Sequence, residues 1–480
     1  MSIVFTQKQA EKPAASDLRT RVVKGGAAIA LRQGVGMVLS AANLILVTRI
    51  IGPAQYGLFA GSYGIVSMIS IAGTWGLDVY LLRKETEPTD AEYNQAFTFF
   101  LGTGLFFSLI LMLLRRPIAD MTGIHAIALP LAVMSLYILF NLINVPGIVR
   151  LDRELRFQRV GVIELAGQAS GYSVAIPLAF LHMGCWAPIL GAITGQFLMT
   201  VLIYASMPMR LRLQWNWPLS QKMLSYGLSY SGAIWIWQLR TLVNPLVVGR
   251  FAGATGVGYV ALAIRLVEVL AFIKQATWRV AMAALAKLGE SRERLRRSIT
   301  EGMCLQAFMV GMPLTVFALI APFILPHIFG QRWAPTFRLF PLIALSYLMN
   351  AVFNLHTSVL ALLKHNVEIG YFHIAHVILF AGSAAFLVSR FGYIGYGWAE
   401  VVAFSSYYLL HRYLSRQVGS PDYSRAMLWI FVCGGCIVLN AMPGPVRLYT
   451  LILLPFPFIF ARERESLSGY ARLLLRRSGA

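Results

Sequence analysis

His125-Ala-Ile-Ala-Leu-Pro-Leu-Ala-Val-Met-Ser-Leu-Tyr-Ile-Leu-Phe-Asn-Leu-Ile-Asn-Val-Pro-Gly-Ile-Val149 runs for 25 residues without an acidic or basic side chain other than its leading histidine. A membrane-spanning helix needs roughly 20 consecutive apolar residues, so this stretch reads as a span. The rest of the chain repeats the pattern. Of 480 residues, 58% are hydrophobic and only 13% charged, with a mean hydropathy of +0.66, whereas soluble domains carry about a quarter charged residues. A soluble globular fold is excluded, and the apolar content suffices for about fourteen spans at roughly 20 residues each.

Apolar runs separated by charged or Pro/Gly breaks place spans near 26–48, 57–82, 96–114, 125–149, 160–181, 185–207, 223–249, 256–278, 302–325, 338–363, 367–389, 393–411, 425–441 and 446–461. The last two are short and read alternatively as one re-entrant hairpin, which leaves twelve spans instead of fourteen. Both counts are even, so both ends share a side. The predicted fold class is an all-α polytopic membrane protein.

Lys plus Arg number 41 against 20 Asp plus Glu, a net charge of +21. In a soluble protein that excess points to nucleic acid; here its placement along the chain decides. Alternate loops leave eight arginines on one side, at positions 49, 115, 116, 250, 332, 338, 390 and 447. Four cations, Arg32, Arg240, Arg265 and Lys274, fall inside spans, and the remaining 29 share the opposite side. Basic residues are retained on the cytoplasmic side and attracted by its anionic headgroups, so both termini are predicted cytoplasmic and the charge is topology, with no nucleic-acid partner. The first 24 residues lack the short apolar core and small-residue cleavage site of a signal peptide. Cys185, Cys304, Cys433 and Cys436 lie in apolar stretches with no disulfide or zinc spacing, and Cys433-Gly-Gly-Cys436 reads as small-residue helix packing.

A shift of 201 residues aligns Arg49-Ile-Ile-Gly52 with Arg250-Phe-Ala-Gly253, Gly57 with Gly258 and Ala60 with Ala261. Two six-span lobes follow: a basic tail 1–24, an N-terminal lobe 25–207, a linker 208–222, a C-terminal lobe 223–414, extra helices 425–461 and a basic tail 462–480. Parallel repeats of this kind build transporters whose substrate sits between the lobes.

Leu31-Arg-Gln-Gly34 and Arg49-Ile-Ile-Gly-Pro-Ala-Gln-Tyr-Gly57 resemble the first hairpin of Wzx-like oligosaccharide flippases, the polysaccharide transporters of the multidrug/oligosaccharidyl-lipid/polysaccharide superfamily. Pro117-Ile-Ala119, Val145-Pro-Gly-Ile-Val-Arg-Leu-Asp-Arg-Glu-Leu-Arg-Phe157, Gly184-Cys-Trp186, Gly249-Arg-Phe-Ala-Gly253, Gly258-Tyr-Val-Ala-Leu-Ala263 and Phe329-Gly-Gln-Arg-Trp333 follow in the family's order. Asp152 departs from the purely basic loop expected there. The resemblance implies a MATE-like V-shaped architecture and a non-enzymatic flippase. Its substrate would be undecaprenyl-diphosphate-linked oligosaccharide, crossing the bacterial inner membrane for exopolysaccharide, capsule or O-antigen assembly. Membrane lipids, a polysaccharide polymerase and a chain-length regulator would be its partners.

A charge inside the hydrocarbon costs several kcal/mol unless it faces a protein interior or a water-filled cavity, so Arg32, Arg240, Arg265 and Lys274 are the candidate substrate contacts of a cationic cavity. A guanidinium grips phosphate oxygens with paired hydrogen bonds. The bland readings are an Arg265–Glu268 helix pair, snorkelling of Lys274 and Arg32 to the leaflet, and helix-end anchoring by Arg49 and Arg250. Glu268, Glu400 and His376 are the candidates for coupling to H+ or Na+; no other cofactor or metal is expected. Asp78 and Glu164 read as hydrated or capping groups at helix ends. Tryptophans 215, 217, 235, 237 and 278 suit sugar stacking or an interface belt, and Pro146, Pro177, Pro245 and Pro313 allow kinks. Two other functions remain: a drug or metabolite antiporter, which calls for an acidic cavity, and a polysaccharide polymerase or ligase, which calls for a large outer loop that this chain lacks.

Overall fold

The computed structural model describes residues 15–206, 212–272, 274, 291–442, 444–461, 463–465 and 468, with side chains from residue 36 onward except at position 230. The described residues are nearly all helical. The helices are α1 (Ala15–Gly73), α2 (Leu77–Arg83), α3 (Asp90–Leu113), α4 (Arg115–Thr122), α5 (Ala128–Arg153), α6 (Phe157–Phe180), α7 (Trp186–Ala205), α8 (Trp217–Gln238) and α9 (Gly249–Leu270). They continue as α10 (Arg292–Phe329), α11 (Ala334–Leu362), α12 (Asn366–Phe391), α13 (Ile394–Val402), α14 (Tyr407–Val418), α15 (Ser424–Ala441) and α16 (Thr450–Leu453). Among the described residues nine helical stretches are long and apolar enough to cross a membrane, and the protein is a multi-pass membrane protein of the all-α class expected.

Each expected outer turn is made at a single glycine. At positions 49–57 Gly52 has φ 78° and ψ 172°, which breaks α1 into two helical segments across a kink, a backbone open to glycine because it carries no Cβ. Gly253 repeats this with φ 66° and ψ −173° inside α9. The two glycines paired by the 201-residue shift thus break their helices in the same conformation. The last expected span, 446–461, is not a continuous α-helix: 3₁₀ turns at Pro445–Tyr449 and Phe456–Ile459 flank the four residues of α16. Pro455 and Pro457 withhold the N–H groups that an α-helix would need.

The first half packs α3 on α5 and α6 on α7; the second packs α12 on α13 and α10 on α11, with α15 laid against α10 and α11. Trp429 on α15 is fully buried and meets the Phe308 ring at 4.9 Å. A Cβ on Gly311 would lie 2.8 Å from the Cys433 sulfur, so the Cys-Gly-Gly-Cys stretch serves close helix packing, and all four cysteines are free, buried thiols. The region after α16 does not begin as a free tail. Glu463 is buried, accepting from the Trp429 Nε1–H at 2.9 Å and pairing with Arg425.

The halves meet through α1 and α9 with a reciprocal geometry. A Cβ on Gly57 would fall 1.7 Å from the Ala254 carbonyl oxygen, and one on Gly258 would fall 2.1 Å from that of Pro53; position 254 is 53 shifted by 201, and 258 is 57 so shifted. Arg49 donates to the carbonyls of His327 (2.8 Å) and Ile328 (3.1 Å), in the last turn of α10. Arg250 donates to that of Asp120 (3.2 Å), in the last turn of α4. Arg49 reaches carbonyls of a last helical turn, where intrahelical donors run out, Arg250 adds a second donor to the Asp120 carbonyl that already accepts from the Gly123 N–H, and each contact is made in the other half. Arg49 and Arg250 are therefore anchors between halves. At the opposite, basic end α2 meets α8: a Cβ on Gly227 would lie 2.6 Å from the Trp75 carbonyl oxygen, and Trp75 stacks edge-on against Trp235. Arg153 caps the end of α2 by donating to the carbonyls of Leu81, Leu82 and Lys84.

Candidate functional site

Between these two contact zones lies a cavity of about 870 Å³ lined by both halves, near the upper end of the usual range for small-molecule sites. The local chain geometry that places its central arginine is irregular. After α8, residues Leu239–Leu242 form a 3₁₀ turn and Asn244–Val248 a π-helical turn, a sequence of tight and wide turns that Pro245 enforces by lacking an N–H. Single π turns inside helices recur at functional sites. Arg240 sits in the tight turn.

Arg240 donates from Nη2 to Glu400 Oε1 at 2.7 Å, and its guanidinium lies over the Trp237 ring at 4.8 Å. The Arg240 side chain is 19% exposed and the Glu400 side chain 3%. Glu400 Oε2 accepts from Ser346 Oγ at 2.7 Å, so both carboxylate oxygens are held. Removing one partner of such a buried pair is costly because the other charge is stranded. The second arginine is held loosely: Arg265 pairs with Glu268 at 3.1 Å one helical turn away, with side chains 53% and 41% exposed, while Tyr347 donates its hydroxyl to Glu268 Oε1 at 3.1 Å.

Four candidates from the sequence, Arg240, Arg265, Glu268 and Glu400, come together on this cavity. Two do not line it. Lys274 is turned away, donating to Asn350 Oδ1 beside the Tyr347 ring. Asn350 in turn donates to the Tyr407 hydroxyl at 3.0 Å. His376 lies one layer behind: its Nδ1 is 2.8 Å from Ser406 Oγ, and its ring meets the outer face of Trp237 at 5.0 Å. The Arg32 side chain lies outside the described residues, as does Trp278. Glu164, expected at a hydrated helix end, lines the cavity.

The cationic cavity expected from the sequence is corrected by this inventory. Its described lining holds two arginines and three glutamates, because Arg240 is met by Glu400 from a distant helix and Arg265 by Glu268 one turn along its own. Sequence reasoning also passed over the uncharged polar lining, among it Tyr63, Tyr137, Gln168 and Gln196. The signal for these was available, since amides inside an apolar span face other helices or a cavity. Of the tryptophans, Trp237 lines the cavity; Trp215 and Trp217 pack on each other away from it, Trp215 also on Phe99.

A family model described as "Polysaccharide biosynthesis protein" matches residues 46–338. The chain belongs to the polysaccharide biosynthesis protein family. Two curated relatives of this chain are the succinoglycan biosynthesis transport protein ExoT of Rhizobium meliloti, 24% identical over 63% of the chain, and the lipopolysaccharide biosynthesis protein WzxC of Escherichia coli, 22% identical over 76% of it. The alignments span 61% of ExoT and 74% of WzxC. In fold, the chain is similar to the lipid II flippase MurJ in an inward closed conformation, with a TM-score of 0.69 at 11% identity over 93% of this chain and 99% of that one. An inward-facing multidrug resistance MATE family transporter follows at 0.61 and 16% identity, over 81% and 98%. The fold is that of MATE-like membrane transporters, as the resemblance implied, and ExoT, MurJ and the MATE protein are named as a transport protein, a flippase and a transporter.

Proposed function

We propose that this protein is a flippase for undecaprenyl-diphosphate-linked oligosaccharide in the bacterial inner membrane, with the basic end and both termini cytoplasmic. The observation that carries the reading is a pair of arginines, each on a carboxylate leash, facing one cavity between two membrane-embedded halves. The names of the relatives, which speak of succinoglycan transport and lipopolysaccharide biosynthesis, support the substrate class.

A diphosphate is recognised by guanidinium groups that can offer two parallel N–H donors. Arg265 is accessible, and its exposed pair with Glu268 is worth about 0–1 kcal/mol, so it yields to an incoming diphosphate first. Arg240 lies deeper and is released only when the phosphate replaces the contact with Glu400. That exchange leaves Glu400 without its guanidinium, and uptake of a proton or cation there would compensate the charge. Glu400, Glu268 and, behind them, His376 are the groups through which an H+ or Na+ gradient would couple to the cycle. The polyprenyl tail stays in lipid. A polymerase and a chain-length regulator would receive the product. The antiporter reading calls for carboxylates waiting for a cationic substrate, whereas Glu268 and Glu400 are each already engaged by an arginine.

The test is Arg240→Ala beside Arg240→Lys in a strain whose surface polysaccharide depends on this protein, with membrane abundance followed by immunoblot. Normal abundance with lost polysaccharide and lipid-linked units held on the cytoplasmic face is the expected result. Unchanged export in both variants would remove Arg240 from the site.

A further inference from the structure

The cavity is chemically divided between the halves. Both lining arginines and two of the three lining glutamates, Glu268 and Glu400, belong to the second half, whereas the described lining of the first half carries a single formal charge, Glu164. The rest of that wall is uncharged and rich in groups that both donate and accept: the phenols of Tyr63, Tyr137 and Tyr172 and the amides of Asn43, Gln168 and Gln196. No basic side chain among its described residues could hold phosphate.

This wall is built rather than incidental. Gln196 donates from Nε2 to the Tyr137 hydroxyl at 3.1 Å, and Asn144, buried behind it, donates to Gln196 Oε1 at 3.0 Å. The amide is thereby held in one orientation. Tyr63 packs edge-on against Tyr137, with ring centroids 5.6 Å apart. Beside them α6 and α7 approach so closely that a Cβ on Gly171 would lie 2.7 Å from the Gly191 carbonyl oxygen, and one on Gly195 2.9 Å from that of Gly167. All four glycines line the cavity, so the wall is flat there and leaves its room to the ligand.

Fixed amides, phenols and ring faces, with no cation among the described residues, match an uncharged polyhydroxylated ring. Sugar hydroxyls alternate as donors and acceptors against such groups, and the apolar C–H face of a sugar packs on an aromatic ring as other apolar groups do. The geometry points to a glycan subsite on the first-half wall, centred on Tyr137 and Gln196, that reads the sugars of the substrate while the second half holds its diphosphate. This inference rests on the flippase reading above and assigns the part of the same cavity that would set glycan specificity.

The experiment compares two ligands on the purified full-length protein in nanodiscs: undecaprenyl diphosphate without sugar, and the host strain's own lipid-linked oligosaccharide. Gln196→Ala and Tyr137→Phe are expected to weaken the sugar-bearing ligand by about tenfold, the equivalent of one hydrogen bond, and to leave undecaprenyl diphosphate binding unchanged. Gln168→Ala provides the same comparison should either variant be poorly produced. Equal weakening of both ligands, or no effect on either, would overturn the glycan subsite. Arg240→Ala is the separate control: unchanged undecaprenyl diphosphate binding in that variant would refute the diphosphate reading, whatever the glycan variants do.

Discussion

Arg240 and Glu400 lie 160 positions apart in sequence and form the most deeply buried ion pair of the cavity wall. Replacing Arg240 with Met keeps most of the side-chain volume and removes the charge. It strands Glu400, 3% exposed in its side chain, with the uncharged hydroxyls of Ser346 and Tyr396 as its partners. Breaking a buried pair from one side costs about 3–5 kcal/mol, whereas replacing both members together is often nearly neutral. Glu400→Gln is milder, at about 1–3 kcal/mol. Arg240 is 19% exposed in its side chain, and it keeps the Trp237 ring beneath it. The double variant should therefore be more stable than Arg240→Met alone, with a coupling of at least about 2 kcal/mol, inside the range for residues in direct contact. The assay is reversible unfolding of the four proteins in mixed micelles titrated with SDS. Additivity of the two single effects within about 0.5 kcal/mol would refute the reasoning, because the pair would then not act as one buried unit.

Gly57→Ala places a methyl group where the Ala254 carbonyl oxygen already stands, 1.7 Å away, so export should fall and the halves should separate at that end, read as faster thiol labelling of a Tyr63→Cys reporter; unchanged labelling and export would contradict the contact. Arg49→Ala and Arg250→Ala remove donors to helix ends in the opposite half. Both should raise the same labelling while costing no more than about 1 kcal/mol, since exposed carbonyls recover water as a partner. Trp429→Phe keeps the ring and deletes the hydrogen bond to Glu463, which should cost about 1.5–3 kcal/mol as a bond to a charged acceptor; a loss below about 0.5 kcal/mol would show that the region after α16 is not fastened there.

The spans were legible because hydrocarbon leaves no alternative for long uncharged runs: all backbone groups must pair within the helix. The two breaks at Gly52 and Gly253 were visible as a faint repeat, and their shared conformation supplies its physical reason. The site was half legible. A charge in a span must face the interior, and Arg240, Arg265, Glu268 and Glu400 do face the cavity. Which interior surface it faces is not written in a helix that is apolar all round, since the usual amphipathic stripe is missing; Lys274 and His376 accordingly sit behind the wall. Pairing was hidden for the same reason, because nothing local links position 240 to 400. The uncharged wall at Tyr137 and Gln196 carries no charge to announce it and becomes visible only when α5 and α7 are set side by side.

The central claim is tested most directly with purified protein in liposomes that carry the host's undecaprenyl-diphosphate-linked oligosaccharide, scoring transfer between leaflets by accessibility of the glycan to an externally added lectin. Protein-dependent transfer that is lost in Arg240→Ala/Arg265→Ala, with equal reconstitution of both proteins, is the outcome expected. Transfer that proceeds at the same rate in the double variant would contradict the account.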